Sequence, residues 1–183
     1  MIGWILMGVV IIAALWAVAI YNGLVQLRIR SEGAWSDIDV QLKRRYDLIP
    51  NLVETVKGYA AHERGVFQAV TQARSRAMQA ATPAAKGEAE QGLAGALKSL
   101  FAVAENYPNL RASENFQGLQ NSLNEIEGAI QDARRYYNAV VRDYNTRIYV
   151  IPDSLIANLG GFKPKEFLQP ESPQERQNVK VSF

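Results

Sequence analysis

The chain has 183 residues, with 20 Lys and Arg against 18 Asp and Glu, a formal charge of +2. That near balance leaves no large basic surface for nucleic acid. The absence of cysteine and a single histidine, His62, exclude disulfides, thiol chemistry, zinc fingers and iron–sulfur ligation, and leave any histidine-based triad resting on His62 alone.

No charged residue occurs between Met1 and Leu27, and Ile2 to Tyr21 is almost wholly apolar. About 20 such residues match the hydrocarbon core of a bilayer at 1.5 Å per residue. Trp4 and Tyr21 stand near the two ends, where amphipathic rings favour the headgroup zone. The competing reading is a cleaved signal peptide, with Ala17-Val18-Ala19 as a small-x-small site. The missing basic n-region and the length of the run favour a retained anchor, with the lipid bilayer as the partner of residues 2–21. Arg28 and Arg30 follow the span, then Lys43, Arg44 and Arg45, so the positive-inside rule puts the short N-terminus outside and the rest in the cytoplasm.

Residues 28–81 read as helix. Trp35, Ile38, Leu42, Ile49, Val53, Val56, Ala60, Phe67 and Val70 recur at helical spacing, with Asp37, Asp39, Lys43, Glu54 and Lys57 between them. Glu63 on the stripe and Gly65 after it predict a weak point. Pro50 removes a backbone donor, but the stripe continues on both sides, which predicts a kink; a loop over residues 48–51 is the alternative. Residues 80–87 have the composition of a connection. A second helix follows from Glu88 to Glu105, with Leu93, Leu97, Leu100 and Ala104 on one face, and Asn106 to Asn109 marks a turn.

The third helix has Ser113 as N-cap. Phe116, Leu119, Leu123, Ile126, Ile130, Ala133, Tyr137, Val140 and Tyr144 then repeat every 3.5 residues, a seam for left-handed bundle packing. Helical to Ile148, it is roughly 54 Å long at 1.5 Å per residue. Glu88–Glu105 covers about half of that, so the long first helix must cover the rest. Asp153 to Leu159 predicts one or two helical turns, with Asp153 as N-cap and Gly160-Gly161 as the stop. Beyond Phe162, three prolines and polar residues predict a short packed segment and a partly flexible tail; Val179–Phe183 suits an edge strand or a docking segment.

Catalytic signatures are missing. No glycine-rich turn leads from strand to helix, the lone histidine cannot supply paired Glu-x-x-His ligands, and no serine sits in a nucleophile elbow. Asp37/Asp39 and Glu125/Glu127 are spaced by two residues, which turns helical side chains to different faces, so they read as solvated. Lys43-Arg44-Arg45 with Asp47 reads as a solvated face with an internal ion pair; a straight helix holds it about 33 Å from the membrane edge. Tyr136, Tyr137 and Tyr144 cluster with Asn138, Arg142 and Asn145. Tyr137 and Tyr144 fit the seam, so their hydroxyls need partners, from arginines or from the 151–162 segment.

The run from Ala34 to Val53, AWSDIDVQLKRRYDLIPNLV, resembles the signature of the LemA family. Glu114-Asn115-Phe116, Ala133-Arg134-Arg135-Tyr136-Tyr137-Asn138, residues 140–145 and the stretch from Ile151-Pro152 to Gly161-Phe162-Lys163-Pro164 carry the same resemblance, which extends over nearly the whole chain with its anchor. It implies a bacterial, single-span helical protein with no established activity. Family members include a magnetosome-forming protein, and association with membrane metalloproteases is a second family-level hint; neither attaches to named residues here. Trp35, Asp37, Lys43, Arg44, Arg45, Tyr46, Asp47, Pro50, Arg135, Tyr136, Tyr137, Asn138, Tyr144 and Asn145 are the signature residues and candidate partner contacts.

The expected fold is all-α: a transmembrane helix, then an elongated antiparallel bundle of three long segments, four if the first breaks or kinks at Pro50. Residues 1–27 form the anchor, 28–162 the bundle and 163–183 the tail. The expected role is a membrane scaffold or adaptor in the bacterial inner membrane, without enzymatic activity or cofactor, acting on a protein partner or on a second copy of itself. The alternative is a regulatory or sensory module with a ligand or partner surface near Tyr136–Tyr144.

Overall fold

The computed structural model describes residues 1–168. Val179–Phe183 and the rest of the predicted tail beyond Leu168 lie outside the described residues. These are helical with no strand: α1 (Ile2–Lys57), α2 (Arg64–Gln79), α3 (Pro83–Glu105), α4 (Pro108–Arg111), α5 (Glu114–Tyr149) and α6 (Asp153–Leu159). They form two compact units. One comprises Met1–Asp37 with Arg135–Phe167, and the other comprises Ile38–Arg134 together with Leu168.

In the second unit the predicted stripes are the buried ones. Ile38, Leu42, Ile49, Val53 and Val56 of α1 are interior, as are Phe67 and Val70 of α2, Leu93, Leu97, Leu100 and Ala104 of α3, and Phe116, Leu123, Ile126 and Ile130 of α5. Pro50 is exposed and α1 runs through it to Lys57, so no loop forms over residues 48–51. The break comes earlier than Glu63 and Gly65 suggested, at residues 58–63. Gly58 weakens the helix there, and Ala60 stays buried in the non-helical turn, so the apolar stripe hides the interruption.

α3 begins five residues before the predicted Glu88. Thr82 is its N-cap, its hydroxyl accepting from the Ala85 amide at 3.2 Å, and Pro83 occupies the first turn. Thr-Pro followed by alanines is a helix start as much as a connection, because proline is pre-organised at the first helical position.

In the first unit, Ile20 and Leu24 of α1 pack with Tyr144 and Ile148 of α5 and Ala157 of α6, flanked by Leu27, Ile156 and Phe162. α6 begins at Asp153 as expected, but its cap position is Pro152, after a cis Ile151–Pro152 peptide. It ends in a Schellman turn: the Phe162 amide donates to the Ala157 carbonyl at 3.0 Å and the Gly161 amide to that of Asn158 at 3.3 Å. Gly161 has φ +67°, which glycine adopts without strain. The turn lays Phe162 edge-on against Tyr21, ring centroids 5.5 Å apart.

The N-terminal part of α1 is different in kind. An 18-residue apolar window within it has no buried residue, and the large side chains from Ile2 to Val18 are exposed. It is the one helix among the described residues long and apolar enough to cross a membrane.

Candidate functional site

The signature residues separate into two groups. In the Ile38–Arg134 unit, Arg45 and Tyr46 fill the gap in the α1 stripe between Leu42 and Ile49, three and four residues on from Leu42. That spacing turns both inward, and Arg45 is 1% exposed. The solvated reading of the Lys43-Arg44-Arg45 run therefore holds for Lys43 and Arg44, and Lys43 pairs with Asp47 at 2.6 Å, but it fails for Arg45. Arg45 donates to Glu90 of α3 and to Glu127 of α5, each at 2.8 Å. Glu90 is 0% exposed. Glu127 is only partly exposed, so the solvated reading fails for it too, while Glu125 remains on the surface.

Tyr46 donates its hydroxyl to the second oxygen of Glu90. Burial, and then the Glu90 carboxylate, push the Tyr46 phenol far above its ordinary range, so it stays a donor. Lys86 pairs with Asp39 at 3.5 Å on the edge of the same cluster. Arg45 thus ties α1 to α3 and α5, and a soluble substrate has no access to Glu90.

Pro50 has a consequence here. It lacks the amide that would bond the carbonyl of Tyr46 four residues earlier. Arg74 of α2 supplies the missing donor, its Nε reaching the Tyr46 carbonyl at 2.7 Å. A defect in one helix is thereby converted into a tie to another.

In the other unit the signature residues hold an extended strap, residues 162–167. Tyr144 donates to the Lys163 carbonyl and Tyr137 to that of Glu166, both at 2.9 Å. Asn145 pairs twice with Lys165, donating to its carbonyl at 2.8 Å and accepting from its amide at 2.9 Å. The tyrosine partners are strap carbonyls, neither arginines nor the 151–162 segment. Burial pushes both phenols up, which keeps them protonated donors. Trp35 meets Tyr137 edge-on at 5.3 Å. Lys165 also pairs with Glu32 at 3.2 Å, and that hydrogen bond and charge hold the Glu32 carboxyl below its usual range.

Asp37, Lys43, Arg44, Asp47, Pro50, Arg135 and Tyr136 are exposed, and Trp35, Asn138 and Asn145 half-buried, whereas Arg45, Tyr46, Tyr137 and Tyr144 are interior. The interior four are turned into the fold. Glu90, Lys86, Glu32 and Lys165 escaped the sequence reading. Glu90 lies three residues before Leu93 on the α3 stripe, a signal open to anyone who extends the stripe backwards. Nothing local marks Lys165.

In the same unit as the strap, Gly23, Leu27, Arg30, Arg142, Asp143 and Arg147 are among the residues lining an open groove of about 440 Å³. Arg147 pairs with Asp153 at 3.1 Å, and its guanidinium lies where a Cβ on Gly23 would be, 2.5 Å from that position.

A helical bundle with Arg45, Tyr46, Tyr137 and Tyr144 turned inward, carrying an unburied apolar helix at its N-terminus, defines a class of membrane-type helical protein. The chain belongs to the LemA family, whose model matches residues 34–183; the apolar segment precedes the match. It is similar to Magnetosome protein MamQ 2 of Paramagnetospirillum magneticum, 27% identical over 175 residues covering 81% of this chain and 64% of the relative. Magnetosome protein MamQ of Magnetospirillum gryphiswaldense is 25% identical over 173 residues, covering 80% and 64%. Protein LemA of Metamycoplasma hominis is 25% identical over 140 residues, covering 74% and 63%. The chain therefore spans just under two thirds of the length of these curated relatives.

Proposed function

We propose that this protein is a membrane-anchored scaffold or adaptor without enzymatic activity, with residues 1–27 as anchor, 28–162 as bundle and 163–183 as tail. The supporting observation is the unburied apolar window of α1. Leaving the large side chains from Ile2 to Val18 in water costs about 2 kcal/mol each, a total beyond the roughly 5–15 kcal/mol of a domain's stability. Lipid removes that cost. Arg28 and Arg30 then favour the bundle on the cytoplasmic side of a bacterial inner membrane.

The exposed signature side chains, Asp37, Arg135 and Tyr136 in one unit and Lys43, Arg44 and Asp47 in the other, are those each unit offers to a protein partner or a second copy. The magnetosome names of two relatives are in keeping with work at a membrane-bounded structure. The test is affinity purification from mild detergent with identification of bound proteins, alongside protease protection in intact cells. A specific partner or a self-assembled oligomer is expected; crosslinking in native membranes that yields monomer alone would overturn the scaffold. Digestion of the bundle from outside the cell would reverse the orientation.

A further inference from the structure

The geometry points to a second membrane contact: the corner between α5 and α6, with α6 itself, seats its apolar side chains in the bilayer interface beside the base of the transmembrane helix. This inference rests on the reading of residues 2–21 as lipid-embedded. α1 and α5 run antiparallel in this unit, because Trp35 meets Tyr137 while Leu24 and Ile20 pack with Ile148. Eleven residues down α1, from Trp35 to Leu24, are matched by eleven up α5, from Tyr137 to Ile148. Three residues further, Ile151 comes level with Tyr21, the last residue of the apolar run. α6 is held at the same level, since Ala157 joins the Ile20 and Leu24 cluster and Phe162 lies on Tyr21.

The side chains on this corner are the wrong ones for water. Ile151 is 82% exposed, Leu155 61% and Leu159 87%, and Tyr149 and Val150 are exposed beside them. Exposed apolar side chains gathered at one corner mark a contact surface, and this set stands level with the end of the apolar run of α1 that enters lipid. The other side of the corner carries more positive than negative charge: Arg30, Arg142 and Arg147 line the groove that begins at Gly23 together with Asp143, and Arg147 is paired with Asp153 at 3.1 Å. Arg30 is nine residues beyond Tyr21, about 14 Å along a helix at 1.5 Å per residue. Apolar groups at the boundary with arginines just above it match the layering of acyl chains and phosphates in an anionic bilayer. The occupant is therefore lipid.

The natural chain contains no cysteine, so single-cysteine variants carry one nitroxide each. The full-length protein is reconstituted in vesicles of phosphatidylglycerol and phosphatidylcholine, with labels at Ile12, Ile151, Leu159 and, as an aqueous reference, Met78. Accessibility to oxygen, which partitions into lipid, is compared with accessibility to a water-soluble nickel chelate. The oxygen-to-nickel ratio at Ile151 and Leu159 is expected to be several-fold above that at Met78 and to approach that at Ile12. Ratios at Ile151 and Leu159 equal to Met78, with Ile12 still in lipid, overturn the inference and leave the anchor intact. A water-like Ile12 overturns the anchor and this inference together. Labels at Leu159 shielded from both reagents, with dipolar broadening between copies, show a protein–protein contact and overturn the lipid assignment.

Discussion

The two units satisfy their interior polar groups by opposite means. In Ile38–Arg134 the deepest contacts are charged: Arg45 bridges Glu90 and Glu127, and Tyr46 caps Glu90. In the unit built on residues 1–37 and 135–167 they are neutral, phenols and an amide bonded to the backbone of a strap. A buried ion network tolerates few arrangements, since any shift strands a charge in a medium that cannot solvate it. A strap held by neutral bonds, each contributing about 1 kcal/mol, can be released one bond at a time. The charged unit is thus expected to unfold as a whole and the strapped unit to open locally first.

The largest expected effect is at the ion network. Arg45→Met leaves Glu90 buried without its cation and is expected to destabilise by about 3–5 kcal/mol, whereas Arg45→Met with Glu90→Leu and Glu127→Leu recovers much of the loss. Thermal unfolding followed by circular dichroism in detergent checks this; equal losses in the single and triple variants would show that the network's charge is not what matters. Next, Arg74→Met leaves the Tyr46 carbonyl without its donor, an expected cost of about 1.5–3 kcal/mol. Pro50→Ala restores the helical donor and should recover part of that cost in a double-mutant cycle. A coupling energy near zero would separate Pro50 from Arg74.

In the strapped unit, Asn145→Ala removes two bonds and is expected to cost about 2 kcal/mol. The loss should appear as faster hydrogen exchange at the Lys165 amide, with exchange in α3 unchanged; a matching rise in α3 would show that the units do not open separately.

The smallest effects come with pH, and the signs follow from linkage. Tyr46 has a folded pKa raised above the ordinary phenol value of 10.0, so its contribution is complete below that pH and is lost as pH rises beyond it. Tyr137 and Tyr144 are also raised, so alkali weakens both units. Glu32 has a folded pKa lowered from 4.5, so its contribution is present above that value and is lost as pH falls through the folded pKa. Glu32 is well exposed, so Glu32→Gln is expected to cost only a few tenths of a kcal/mol. Unfolding midpoints from pH 3 to 11 test both signs.

Periodicity alone determined the helical class, the stripes of α1, α3 and α5, the start of α6 and its glycine stop, because a helix exposes its buried face as a repeat readable within a few residues. It misplaced the α1 break, where Ala60 kept the rhythm through a turn, and the start of α3, where Thr82-Pro83 reads equally as a turn. It took Arg45 and Glu127 for surface because an isolated charge is costly to bury, and their partners lie far off in sequence. Only the tertiary structure decided that Glu90 stands against Arg45, that Arg74 completes the carbonyl orphaned by Pro50, and that Lys163 to Glu166 satisfy Tyr137, Tyr144 and Asn145. A hydrogen bond between distant residues depends on where the chain returns, and composition and spacing do not record that.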